Sequence, residues 1–206
     1  MKATMKTLSA ILICCFISTI QMYGENIQRP ESENYVKGVE ALNEGNPEAA
    51  YTYLNAEINE HPDNGYAHCY MALICNFCND TKLALKALTS SLELIPEADT
   101  EYRSFAHYSR GVLLTNLKMW EHAEADLNEA IRLNPEDVEN YKSRAQLYFE
   151  TERYEESLDD LTRALKLDSK ADVNDLVLQL MAVAPTSEFM ERITATYQQL
   201  DQVTIH

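Results

Sequence analysis

The sequence predicts an all-α fold made of helical hairpins stacked in tandem, and three observations carry that prediction. The stretch EADLNEAIRLNPEDVENY, Glu124–Tyr141, is echoed 34 residues later by LDDLTRALKLDSKADVND, Leu158–Asp175, so that Leu127, Ala130 and Leu133 are answered by Leu161, Ala164 and Leu167. Pro62, Pro96, Pro135 and Ser169 mark one recurring place at steps of 34, 39 and 34 residues, the period of a stacked repeat. Glycine and proline are sparse, 5 and 6 in 206 residues, which favours long helices over many short strands and turns.

Residues 1–24 read as a secretory signal peptide: Lys2 and Lys6 make a basic start, Leu8–Ile20 is an apolar run of 13 residues, and a polar, acidic stretch follows. The run is short for a membrane span, which takes about 20 residues. The alternative is an uncleaved membrane anchor. Cys14 and Cys15 invite a lipidation reading, but Ile13 stands before Cys14 where a small residue is needed. Residues 25–30 are a linker.

Four repeats follow, at 31–64, 65–98, 104–137 and 138–171, with an insertion, Asp-Thr-Glu-Tyr-Arg at 99–103, before the third. A small residue recurs in the first half of each (Gly38, Ala72, Gly111, Ala145) and another early in the second half (Ala50, Ala84, Ala123, Ser157). Leu54, Leu88, Leu127 and Leu161 follow four residues on, and then Glu57, Ser91, Ala130 and Ala164. Apolar residues at three- and four-residue spacing make each half an amphipathic helix. Small residues at the crossing let two backbones approach closely, and the proline ends each repeat because a helix interior rejects it. At Gly111 a leucine is expected to overpack the crossing, and an alanine to be mild or stabilising because glycine is a poor helix former. Beyond the repeats, 172–206 carries two more helical patterns, one with Val173, Leu176, Val177, Leu180 and Met181 on a face. After Pro185, with Thr186 or Ser187 as cap, the other has Phe189, Ile193, Tyr197 and Leu200. They are expected to cap the last repeat.

The formal net charge is −16, and past residue 24 there are 33 acids against 15 bases. Such a surface repels phosphate, so nucleic acid is excluded as a partner and anionic membrane is disfavoured. No phosphate-cradling glycine loop, His-Glu-x-x-His helix or Gly-x-Ser-x-Gly elbow occurs. The sequence therefore reads as a non-enzyme with no cofactor and no metal. Cys75 and Cys78, seven and ten residues after His68, supply the alternative, a redox or enzyme-accessory protein. Against it, both fall on a predicted helix, and buried cysteine is usually packing. His107 and His122 stand singly, and structural roles are expected of them.

The columns resemble the tetratricopeptide repeat. Phe105–Pro135 matches best, with Gly111, Leu114, Ala123, Leu127, Ala130 and Pro135 at that family's spacings; the first-helix aromatic column, Asn34, His68, His107 and Tyr141, and Glu57 in an alanine column depart from it. The resemblance implies an α-solenoid, a right-handed superhelix whose groove is lined by first helices and holds a protein or peptide. Carried onto this chain, the groove residues are Tyr35, Val39 and Leu42; Tyr66, Cys69, Leu73 and Phe77; Phe105, Tyr108, Val112 and Asn116; and Lys142, Gln146 and Phe149. Some family members grip a chaperone's C-terminal carboxylate with Lys, Arg and Asn. Here those positions hold Tyr35, Val39, Tyr70, Phe105 and Ser109, so no such clamp is expected. The expected partner is apolar or aromatic, with basic character favoured by the acidic exterior. Self-association through the terminal helices is a further reading. The expected location is extracytoplasmic, periplasmic or secreted.

Overall fold

Among the residues described by the computed structural model, 27–184 and 186–203 (the last seven by their backbone alone), every regular element is a helix. The expected signal peptide at 1–24, Pro185, and the side chains of Tyr197 and Leu200 lie outside the described residues. The helices are α1 (Glu33–Asn43), α2 (Pro47–Glu60), α3 (Gly65–Phe77), α4 (Thr81–Leu94), α5 (Thr100–Asn116), α6 (Trp120–Leu133), α7 (Val138–Glu150), α8 (Tyr154–Leu167), α9 (Asn174–Val183) and α10 (Ser187–Val203). The chain falls into two compact units, Met1–Ser109 and Arg110–His206. The architecture is an α-solenoid type of tandem helix-turn-helix repeats.

Within the first unit α1 pairs with α2, α2 with α3, and α3 with α4. Within the second, α6 packs on α7 and α7 on α8. Each hairpin turns the same way. The residue after the first helix's cap is left-handed: Gly45 (φ 71°), Asn79 (61°), Lys118 (59°) and Glu152 (61°). In the first turn the Gly45 amide donates to Leu42 O at 3.0 Å and the Asn46 amide to Ala41 O at 2.8 Å. The pattern repeats as Asn79 to Asn76 and Asp80 to Cys75, as Lys118 to Thr115 and Met119 to Leu114, and as Glu152 to Phe149 and Arg153 to Tyr148. This double closure satisfies carbonyls that a helix C-terminus leaves orphaned. Asn46 and Asp80 then cap α2 and α4, their side chains accepting the amides of Ala49 and Leu83.

The small columns sit at close crossings. A Cβ built on Gly38 would lie 2.6 Å from Leu54 Cγ, and one on Gly111 would lie 2.8 Å from Leu127 Cγ. Leu54 and Leu127 are fully buried, so neither can swing clear. This close approach runs against the expectation that alanine is mild at Gly111: a methyl there needs space that only the glycine hydrogen leaves. Where the second-half column holds Ser157, its hydroxyl donates to Ala145 O at 2.8 Å, so the polar atom is satisfied across the crossing.

The second unit adds a pairing that the periodicity did not announce. Arg110 forks onto Asp126 at 2.7 and 2.8 Å, and Arg144 onto Asp160 at 2.8 and 2.7 Å. Each pair bridges the two helices of one repeat. Helices α9 and α10 both pack on α8. Leu158, Leu161, Leu165, Val173, Leu176, Val177, Leu180, Phe189 and Ile193 form one buried cluster there, with Met181 packed against it. Thr186 Oγ1 accepts the Phe189 amide at 3.1 Å, the capping bond of α10. The two terminal helices thus cover the apolar side of the last repeat.

Candidate functional site

In the first unit, the first helices of successive repeats bring tyrosines together. Tyr35 of α1 lies 6.0 Å from Tyr70 of α3, ring to ring. The Tyr70 and Tyr102 hydroxyls are 2.8 Å apart, and Tyr66 meets the Tyr102 ring edge-on at 4.8 Å. Tyr66 donates to Asp99 Oδ2 at 3.0 Å, while Asp99 Oδ1 accepts the Tyr102 amide at 3.3 Å. Burial lifts the hydroxyls of Tyr35, Tyr66 and Tyr102 far above the ordinary tyrosine range and that of Tyr70 to about 12, so all four are neutral at physiological pH. Onto this cluster comes Arg29, from the stretch before α1. Its guanidinium carbon is 4.6 Å from the Tyr102 ring centre, its Nε 3.4 Å from Asp99 Oδ2 and its Nη2 3.1 Å from Glu101 Oε2.

The expected groove residues divide by exposure. Tyr35, Leu42, Tyr66, Cys69, Phe105 and Tyr108 are buried. Val39, Leu73 and Val112 are half-buried, and Phe77 and Asn116 are exposed. On α7, Lys142, Gln146 and Phe149 are half-buried. Lys142 pairs with Glu139 at 2.7 Å, Gln146 donates to Glu150 at 3.0 Å, and Phe149 lies 5.7 Å from the Tyr154 ring. Sequence reasoning passed over Arg29, Asp99, Glu101 and Tyr102. They lie in the linker and the insertion, outside the repeating columns; the break in period at 99–103 was the available signal.

The aromatic column has a shared task in two repeats. His68 Nε2 meets Pro62 O at 3.0 Å, and Tyr141 donates to Pro135 O at 3.1 Å. A carbonyl only accepts, so the His68 Nε2 carries the hydrogen.

Cys69 and Cys75 are buried and Cys78 is exposed, all as free thiols. Burial pushes the Cys69 thiol up to about 12 and raises Cys75 as well, with Asp80 adding to it. A reactive thiol needs the opposite shift. No group of His, Cys, Asp or Glu among the described residues is placed to hold a metal ion.

Residues 106–137 and 139–170 each match the family model of the tetratricopeptide repeat. Two tetratricopeptide repeats therefore lie within residues 106–170. Repeats of this family form scaffolds that bind protein or peptide, typically without catalysis. The lipoprotein NlpI homolog of Haemophilus influenzae is 31% identical over 87 residues, 42% of this chain and 28% of that one, so the chain spans under a third of that relative's length. Among solved structures, MamA from Desulfovibrio magneticus RS-1 superposes with a TM-score of 0.67 at 19% identity, covering 84% of this chain and 96% of that one. YrrB, described as a tetratricopeptide protein with an unusual peptide-binding site, superposes at 0.61 and 20% identity over 71% and 73% of the two chains. At such identities the likeness shows the fold alone. No helix among the described residues is long and apolar enough to cross a membrane.

Proposed function

We propose that this chain is a non-enzymatic scaffold, exported from the cytoplasm, that holds a protein or peptide partner on the faces of its first helices. The observation that carries the reading is the pairing of tetratricopeptide repeats with accessible apolar and amide side chains on those helices, Phe77 and Asn116 foremost. The peptide-binding site ascribed to YrrB, a fold neighbour, supports it by analogy. The net charge of −16 favours a basic partner and speeds its encounter. Export is supported by the basic-then-apolar pattern of residues 1–24 and by the lipoprotein name of the Haemophilus relative.

Affinity capture from the native host tests the surface. Phe77→Ser and Asn116→Arg, both at exposed positions, should reduce recovery of the partner while leaving the helical circular dichroism unchanged. Tyr108 and Phe105 are unsuited to the test, because truncating a buried ring reports on folding instead. Partner recovery equal to that of the unsubstituted chain would remove these faces from the account. Sequencing the mature N-terminus from fractionated cells tests export, which fails if Met1 is retained on cytoplasmic protein.

A further inference from the structure

The five-residue insertion is the one break in the period, and it has two jobs. One is structural: Arg103 donates to Leu92 O at 2.8 Å and Ile95 O at 3.1 Å, closing the end of α4, while Asp99 Oδ1 holds the first turn of α5. The other three contributions converge on a guanidinium. Asp99 Oδ2, Glu101 and the Tyr102 ring all meet Arg29, and Tyr66 fixes Asp99 from behind. An aromatic face, a carboxylate 1% exposed and a second carboxylate 28% exposed form a receptor suited to a planar cation with a fork of donors.

We propose that the pocket of Tyr66, Asp99, Glu101 and Tyr102 takes an arginine side chain from a peptide partner, and that Arg29 occupies it as an internal surrogate which the partner displaces. This deepens the scaffold reading and rests on it. Three observations support exchange. Arg29 lies in a stretch with no helix, the first helical bond being Val36 to Ser32, so its departure unwinds nothing. Its side chain keeps 27% exposure, which leaves an approach open from solvent. Emptying the pocket would leave two neighbouring carboxylates without the cation between them; burial already lifts the Glu101 carboxyl above its ordinary range, and Arg29 opposes that shift. The pocket therefore favours a cation, and the acidic chain favours basic partners.

The test uses the full chain and two blocked tripeptides, acetyl-Gly-Arg-Gly-amide and its citrulline counterpart, which keeps the shape and loses the charge. Binding is followed by calorimetry and by amide chemical shifts at Glu101 and Tyr102. A pocket held by Arg29 nine parts in ten weakens an external ligand about tenfold. Arg29→Gln should therefore bind the arginine peptide about tenfold more tightly than the native chain, with the citrulline peptide weak throughout. Adding Glu101→Gln should reverse most of the gain. Arg29→Lys, which keeps the charge but not the fork, should give a smaller gain and guards against a folding defect in the first variant. Arg29→Gln binding no better than the native chain, or taking both peptides alike, overturns the proposal and leaves Arg29 as a tether for its own segment. The capture experiment with Phe77 and Asn116 touches none of these residues. If capture depends on them while the peptides fail, the pocket falls and the scaffold reading stands; if the peptides bind while capture is indifferent, the faces around Phe77 and Asn116 fall and the pocket remains as the contact.

Discussion

At Gly111 one hydrogen occupies the space where a methyl would press on Leu127 Cγ and lie 3.3 Å from the Ala123 carbonyl. Alanine there should lower stability by about 1 kcal/mol, and leucine by about 3 kcal/mol, in place of the gain that helix propensity alone suggests. Thermal melts of the two variants check this, and an unchanged midpoint for alanine would contradict the crossing. The small column was legible in the sequence; the choice between glycine and alanine within it was not, because it depends on tenths of an ångström between two backbones. Asp137 offers a second test. It caps α7 by accepting the Glu139 amide at 2.9 Å, yet burial raises its pKa. A carboxyl raised in the folded state contributes stability below its unfolded value of about 3.9 and loses it as pH rises through the folded value. Asp137→Asn keeps the capping oxygen without the charge. It should be at least as stable as the native chain at pH 7, with the difference closing as pH falls toward about 4. Denaturant melts across that window give the sign.

The four hairpin turns place Gly45, Asn79, Lys118 and Glu152 in the left-handed region. Only the first is glycine; the third and fourth bear side chains at a conformation costing an L-residue about 1–2 kcal/mol. Glycine also stabilises the unfolded chain, by about 0.4–1 kcal/mol. The balance predicts that Glu152→Gly raises stability by about 0.5–1 kcal/mol, measured as a higher denaturant midpoint at constant slope. The common dihedral of the four turn residues was not legible in the sequence, because Lys and Glu carry no turn signature. The hairpin pairs were harder still to read. At the positions of Arg110–Asp126 and Arg144–Asp160, the earlier repeats have Lys37–Tyr53 and Met71–Ala87, and the Lys37 ammonium lies 5.7 Å from the Tyr53 ring centre. One geometric place is filled by three chemistries, so no column emerges from the letters. Arg144→Met should cost about 2 kcal/mol by stranding Asp160, whose side chain is 8% exposed, and Arg144→Met with Asp160→Leu should recover most of it. A double-mutant cycle with equal losses in both variants would count the pair as decorative.

For the whole chain, the period, the helix pairs and the terminal cover of α8 followed from amphipathic spacing, because stacking needs a repeating apolar face and little else. The tyrosine cluster with Arg29 did not follow, because 70 residues separate Arg29 from Asp99 and neither belongs to a repeating column. The charge of −16 has a consequence at this scale. Raising ionic strength from about 0.01 M to 1 M shrinks the screening length from about 30 to 3 Å, so association with a basic partner should slow steeply while dissociation changes little. Stopped-flow mixing at several salt concentrations distinguishes this from a purely apolar contact, whose rate would stay level.

Gly65, at the start of α3, would place a Cβ 2.8 Å from the main-chain nitrogen of Ile95, an obstacle with no rotamer to yield. The corresponding places hold Glu31, Ser104 and Val138. A designer averaging the four modules into one consensus brick would write a side chain there and wedge the joint apart. The copies look interchangeable on paper, but the second has become a bespoke part.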